Sequence, residues 1–143
     1  MDARRERDES VMADQVTVEP LKSFQDARGL VFEPVSAGEL QSQRNVHVVI
    51  TEPGQVRGNH FHERGNEITV LIGPALLRYR EADEVRDIVF QEGEVVKVSI
   101  PAKTAHAFQN TGNRPMLLIG FNTVAHDQAR PDVVADVLIP PPS

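Results

Sequence analysis

Between Asn45 and Asn122 apolar and polar residues alternate over short runs, and turn residues interrupt those runs at regular intervals. Successive side chains of a strand point to opposite faces, so a period of two marks strands. The runs predict strands at Val46 to Thr51, Val56 to His62, Glu67 to Ile72, Ala75 to Glu81, Glu84 to Phe90, Glu94 to Ile100, Ala105 to Asn110 and Met116 to Asn122. Turns are expected at Glu52-Pro53-Gly54, Gly73-Pro74, Ala82-Asp83, Glu92-Gly93 and Thr111-Gly112-Asn113. Upstream, Val16-Thr17-Val18 is strand-like, and Leu21 to Phe24 and Leu30 to Glu33 flank the turn residues Asp26 to Gly29, the pattern of a hairpin. Downstream, Arg130-Pro131-Asp132 leads into one further edge strand, Val133 to Ile139, closed by Pro140-Pro141-Pro142. No stretch sustains an apolar stripe of period 3.6. The class is therefore expected to be all-β, and about eight strands at this spacing suit a jelly roll or barrel.

Composition narrows this picture. A length of 143 residues fits one domain with a substantial core, expected over residues 16–143. Residues 1–15 are crowded with charge (Asp2, Arg4, Arg5, Glu6, Arg7, Asp8, Glu9) and read as a mobile tail, with a helix packed on a partner as the alternative. A net charge of -6 argues against a nucleic-acid surface, which needs a basic stripe to neutralise phosphates. The absence of cysteine excludes disulfides and thiolate metal sites and makes the cytoplasm the default compartment. Nothing approaches a membrane-spanning apolar run or a signal peptide.

The chemistry concentrates in Arg57 to Glu67. His60 and His62, two residues apart on a predicted strand, share a face, while Phe61 points the other way. The turn around Gly65 then places Glu67 at the start of the next antiparallel strand, beside both imidazoles. His106 lies far downstream, on a segment that puts His106, Phe108 and Asn110 on one face. Three imidazoles and one carboxylate suit a divalent transition metal. The alternative is a polar interior in which the histidines bond to one another or to water. His47 and His126 lack comparable partners nearby and read as surface or structural residues.

The spacing of Gly54, His60, His62, Glu67 and Gly73 resembles the first motif of the cupin superfamily, and Gly93, Pro101, His106 and Asn110 resemble the second. Lys103 stands where that second motif usually has glycine. The resemblance implies a small cupin jelly-roll barrel with His60, His62, Glu67 and His106 converging inside it. A narrower likeness runs from Asp26 to Asp132, through Asp26-Ala27-Arg28-Gly29, Arg57-Gly58-Asn59-His60-Phe61-His62, Asn66-Glu67, Arg78-Tyr79-Arg80, Ile100-Pro101 and Arg130-Pro131-Asp132. It is similar to the C-terminal zinc-binding cupin domain of bacterial capsular polysaccharide enzymes, in which a reductase precedes a cupin that epimerises a UDP-linked 4-keto-hexose. More distantly, the chain resembles dTDP-4-keto-6-deoxyglucose epimerases and related ketoisomerases. No reductase accompanies the cupin here, so a redox step is expected of another protein.

The resemblance implies a homodimeric epimerase or isomerase acting on a nucleotide-linked 4-keto sugar for surface polysaccharide, with Zn2+ as cofactor and Fe, Mn or Ni as alternatives. A metal held by neutral imidazoles and a carboxylate would stabilise the enolate formed when a proton leaves the carbon beside a carbonyl. The proton-transfer group is Tyr79, Lys103, a metal-bound water, or His60 itself if no metal binds. A diphosphate asks for arginine, and Arg28, Arg57, Arg78 and Arg80 are the candidates, although a solvated outer face explains Arg78 and Arg80 equally well. Rival readings are an iron-dependent dioxygenase and a non-catalytic sugar or metal binder. No helix-turn-helix segment suggests a transcription factor.

Overall fold

Two five-stranded antiparallel sheets face each other in the computed structural model, which describes residues 14–143. The expected tail therefore falls almost wholly outside the described residues. The strands are β1 (Thr17–Pro20), β2 (Ser23–Asp26), β3 (Gly29–Phe32), β4 (Asn45–Thr51), β5 (Val56–His62), β6 (Glu67–Ile72), β7 (Ala75–Glu81), β8 (Glu84–Phe90), β9 (Val95–Ile100), β10 (His106–Asn110), β11 (Met116–Asn122) and β12 (Val133–Ala135). One sheet has the order β1-β9-β6-β11-β4 and the other β12-β5-β10-β7-β8, while β2 and β3 pair as a separate hairpin.

Alternation decides what fills the space between the sheets. Val96, Val98 and Ile100 of β9, Leu77 of β7, Phe90 of β8 and Phe108 of β10 join one buried apolar cluster. Each such side chain contributes about 1.5–3 kcal/mol on burial, which offsets the cost of the polar groups buried beside the cluster. The outer face of the first sheet is covered as well: Ile68, Val70 and Phe121 pack with Leu21, Phe32 and Val35. This is why β6 reads as a nearly continuous apolar run, buried on both faces.

Two features differ from the sequence reading. A five-residue helix, α1 (Ala37–Gln41), follows the hairpin. It is too short to show an apolar stripe, but Ser36 and Glu39 form a capping box, the local signal that marks its start. Glu39 also binds the buried Lys97 ammonium at 2.8 and 2.9 Å, with Glu19 at 3.3 Å, which pins α1 to the outer face of β9. The last strand is shorter than expected and stops at Ala135. Beyond it, the side-chain oxygen of Asn59 accepts from the backbone N–H of Leu138 and Ile139, its amide donates to the Ile139 carbonyl, and its backbone carbonyl accepts from Asp136 N–H. Those bonds to one residue take the place of a strand ladder.

Asn59 can do this because β5 carries a bulge. Opposite β10 the register runs His106 to His60 and then Ala107 to Gly58, so one residue of β5 is skipped. Gly58 and Asn59 both have positive φ, 90° and 56°, tolerated by glycine and better by asparagine than by most residues. A Cβ on Gly58 would lie 2.8 Å from the His106 carbonyl oxygen. The bulge shifts the phase of β5: Arg57 pairs with Phe108 and His60 with His106, so residues three apart both face inward. A Gly58→Ala substitution is expected to lower stability by about 2 kcal/mol or more, from the combined clash and φ strain. The urea-unfolding midpoint of the variant measures it.

Candidate metal centre

The polar end of the barrel interior draws on both sheets. Glu67 enters from the first residue of β6, His60 and His62 from the end of β5, and His106 from the start of β10. One ligand atom from each of the four lies within 4.8 Å of all the others. The rings of His60 and His62 sit edge to face at 5.0 Å, and those of His60 and His106 at 4.9 Å. The set that period-two alternation predicts is therefore brought together.

Hydrogen bonds orient Glu67, His62 and His106. Glu67 accepts from His62 Nε2 at 2.8 Å through Oε1 and from the Thr69 hydroxyl through Oε2. His106 Nδ1 lies 2.9 Å from the Thr104 carbonyl, which can only accept, so Nδ1 carries a proton. The other nitrogen, Nε2, is buried without a hydrogen-bond partner and lies 3.3 Å from Glu67 Oε2. In neutral His106 this Nε2 lone pair faces a carboxylate, an unfavourable contact unless a positive charge lies between them or a proton is added. That orphaned atom fits the four residues to a divalent cation, which would be held by Nε2 of His106, the two β5 imidazoles and the Glu67 carboxylate.

Electrostatics follow from the same packing. Burial holds the His60 pKa down to about 4, reinforced by His106 and partly offset by Glu67. Burial alone would raise Glu67, but His106, His62 and Thr69 outweigh it and hold the carboxyl well below its usual value. For His106 burial is opposed by the adjacent Glu67 charge and by the Thr104 carbonyl, and the net shift is upward.

Among the expected arginines, Arg57 alone lines the cavity beside His60, Glu67 and His106. Its Nε donates to Thr51 Oγ1 at 3.2 Å and its Nη2 to the Ile50 carbonyl at 2.9 Å. Arg28 is bound to Asp26 at the exposed tip of the β2–β3 hairpin. Arg78 and Arg80 lie on the outer face of β7, with Asp87 at 2.8 Å and Asp136 at 3.4 Å. Tyr79 is fully buried in the apolar cluster and does not line this cavity. Lys103 is exposed on the rim; it occupies the left-handed region (φ 68°), which explains why glycine suits that slot, and its N–H donates to the His62 carbonyl at 2.6 Å. His47, unremarkable in the sequence, lines the cavity from β4. It pairs with Gly120 of β11, where a Cβ would lie 2.5 Å from the imidazole, so a glycine inside a strand was the signal for a ring above it.

The family model described as the polysaccharide biosynthesis C-terminal domain matches residues 24–134, a span holding all four of these residues. The chain belongs to that family. Across 131 residues it is 26% identical to the spore coat polysaccharide biosynthesis protein SpsL of Bacillus subtilis (strain 168), covering 85% of this chain and 87% of SpsL. The capsular polysaccharide assembling protein CapF of Staphylococcus aureus superposes with a TM-score of 0.61 at 26% identity over 84% of this chain, which spans only 33% of CapF. The sugar 3,4-ketoisomerase QdtA of Thermoanaerobacterium thermosaccharolyticum, solved with TDP, gives a TM-score of 0.67 at 16% identity, covering 87% of this chain and 90% of QdtA. The RmlC epimerase of Mycobacterium tuberculosis gives 0.65 at 15% identity, covering 91% of this chain and 71% of that one. Those two likenesses show the shared cupin-type fold. Among the described residues no helix is long and apolar enough to cross a membrane.

For this member of the family the histidine shifts have a measurable sign. The unfolded chain protonates His60 near pH 6.5 and the folded chain near 4, so His60 contributes stability that is full above 6.5 and is lost as pH falls towards 4. His106, shifted upward, contributes with the opposite sign: full below 6.5 and lost as pH rises through its folded value. With a chelator present, the urea midpoint is expected to fall from pH 6.5 to 4, and His60→Gln to remove part of that fall.

Proposed function

We propose that this chain is a metal-dependent epimerase or isomerase acting on a nucleotide-linked 4-keto sugar in surface polysaccharide biosynthesis. The observation that carries the reading is the convergence of His60, His62, Glu67 and His106 on one point, with Arg57 on the wall of the same cavity. Its relatives SpsL and CapF are named for polysaccharide biosynthesis and assembly, and the fold is shared with a TDP-bound sugar ketoisomerase and an epimerase.

A divalent cation held by three neutral imidazoles and one carboxylate keeps net positive charge and supplies Lewis acidity to a carbonyl oxygen; zinc suits this set, and iron, manganese or nickel are the alternatives. Arg57 offers its guanidinium to diphosphate oxygens, and its bonds to Thr51 and the Ile50 carbonyl fix the plane of the group before substrate arrives. His60 is neutral at pH 7, so its lone pair is available to a cation or to a proton taken from the substrate. The cavity wall of Val49, Phe108 and Leu118 is apolar and lowers the local dielectric, which strengthens each of these interactions.

Two outcomes test the reading. His62→Ala is expected to lower bound zinc sharply, measured as metal per chain by elemental analysis, in a protein whose circular dichroism remains that of a β-barrel; unchanged stoichiometry removes His62 from the ligand set. Incubation with UDP- or dTDP-linked 4-keto sugars in deuterated water is expected to place deuterium on the carbon beside the carbonyl, read by mass spectrometry. Tight sugar binding with no incorporation across the panel would make the protein a binding module instead.

A further inference from the structure

The Arg130-Pro131-Asp132 phrase is not used by the four-ligand set, yet Asp132 reaches its edge. The Asp132 side chain is only 10% exposed. Oδ1 accepts from Arg64 N–H at 2.9 Å and Arg64 Nε at 3.2 Å, and Oδ2 accepts from Gly65 N–H at 2.9 Å. Oδ2 also lies 3.6 Å from His62 Nδ1. Gly65 is needed for this approach, since a Cβ there would sit 2.8 Å from that oxygen and 2.2 Å from Asn122 Oδ1.

His62 thus has two neighbours at Nδ1 with opposite demands. Asn122 Oδ1 accepts from Val124 N–H at 2.8 Å, which turns its amide nitrogen towards His62 Nδ1 at 3.3 Å. An N–H pointed at Nδ1 requires a lone pair there, so the ring proton sits on Nε2 and is donated to Glu67. That tautomer has no lone pair to give a cation at Nε2. For Nε2 to become a ligand the proton must move to Nδ1, where the Asn122 amide is the wrong partner and the Asp132 carboxylate is the right one.

We infer that Asp132 is a positioning residue that holds the proton on His62 Nδ1 when a divalent cation takes Nε2, the ring passing from the Asn122 amide to the Asp132 carboxylate as the centre fills. This rests on the metal-binding part of the proposed function. It also gives the C-terminal segment a role at the site, because Asp132 directly precedes β12, whose Val133 pairs with His62.

Zinc titration of the full chain by calorimetry, with nitrogen-15 NMR of the imidazoles, separates the possibilities. The wild type is expected to show His62 protonated on Nε2 without zinc and on Nδ1 with it. Asp132→Asn is expected to weaken zinc binding about 10- to 100-fold at unchanged stoichiometry. Adding Asn122→Asp to that variant restores a carboxylate beside Nδ1 and is expected to recover most of the affinity, which mere support of the Arg64–Gly65 turn does not predict. No zinc binding by the wild type would overturn the metal reading itself. Zinc binding with equal affinity in Asp132→Asn, failure of the rescue, or a zinc-loaded His62 protonated on Nε2 would overturn the role of Asp132 alone. Should Asp132→Asn fail to fold, the wild-type tautomer measurement still decides.

Discussion

A buried carboxylate holds the two halves of this barrel in relation to one another. Glu67 belongs to one sheet and the three imidazoles to the other, and the bond between His62 and Glu67 crosses the interior between them. A buried anion is costly unless it is met by donors and positive charge. Here Thr69 and His62 donate to it, His106 lies 3.3 Å away, and the apolar cluster packed beside the site supplies the burial that offsets the cost. The site is therefore a region of concentrated electrostatic demand inside an otherwise ordinary β-sandwich core.

Around that demand the orientation of two of the three rings is set from outside the cluster. The Thr104 carbonyl fixes His106, and Asn122 and Asp132 flank His62. Each of these outer partners lies on a different segment: the turn before β10, the end of β11 and the residue before β12. Geometry at the centre thus depends on how several separate loops are seated. Small residues matter in consequence, because Gly58, Gly65 and Gly120 each open room that a methyl group would close.

Most of the strand pattern and the clustering of His60, His62, Glu67 and His106 were legible in the residues, for a physical reason. Period-two alternation places His60 with His62, a tight turn returns Glu67 beside them, and His106, Phe108 and Asn110 share one face of a third strand. What was not legible depends on interruptions of that period. The phase of Arg57 is reversed by a bulge whose sequence signs are only a glycine and an asparagine. Helix α1 is one turn held by a cap and by Lys97, with no stripe to read. His47 gains its place from a glycine on another strand, and Tyr79 loses any place at the cavity because its own strand turns it into the apolar cluster.

The skipped residue in β5 bears on how this barrel tolerates change in length. Because Asn59 is the surplus residue, deleting it would leave Arg57 two residues from His60, restore regular pairing with both still inward, and release the terminal segment from its anchor. The odd spacing between the arginine and the first histidine is thus absorbed locally, and what the extra residue adds is a tie between the barrel wall and the end of the chain.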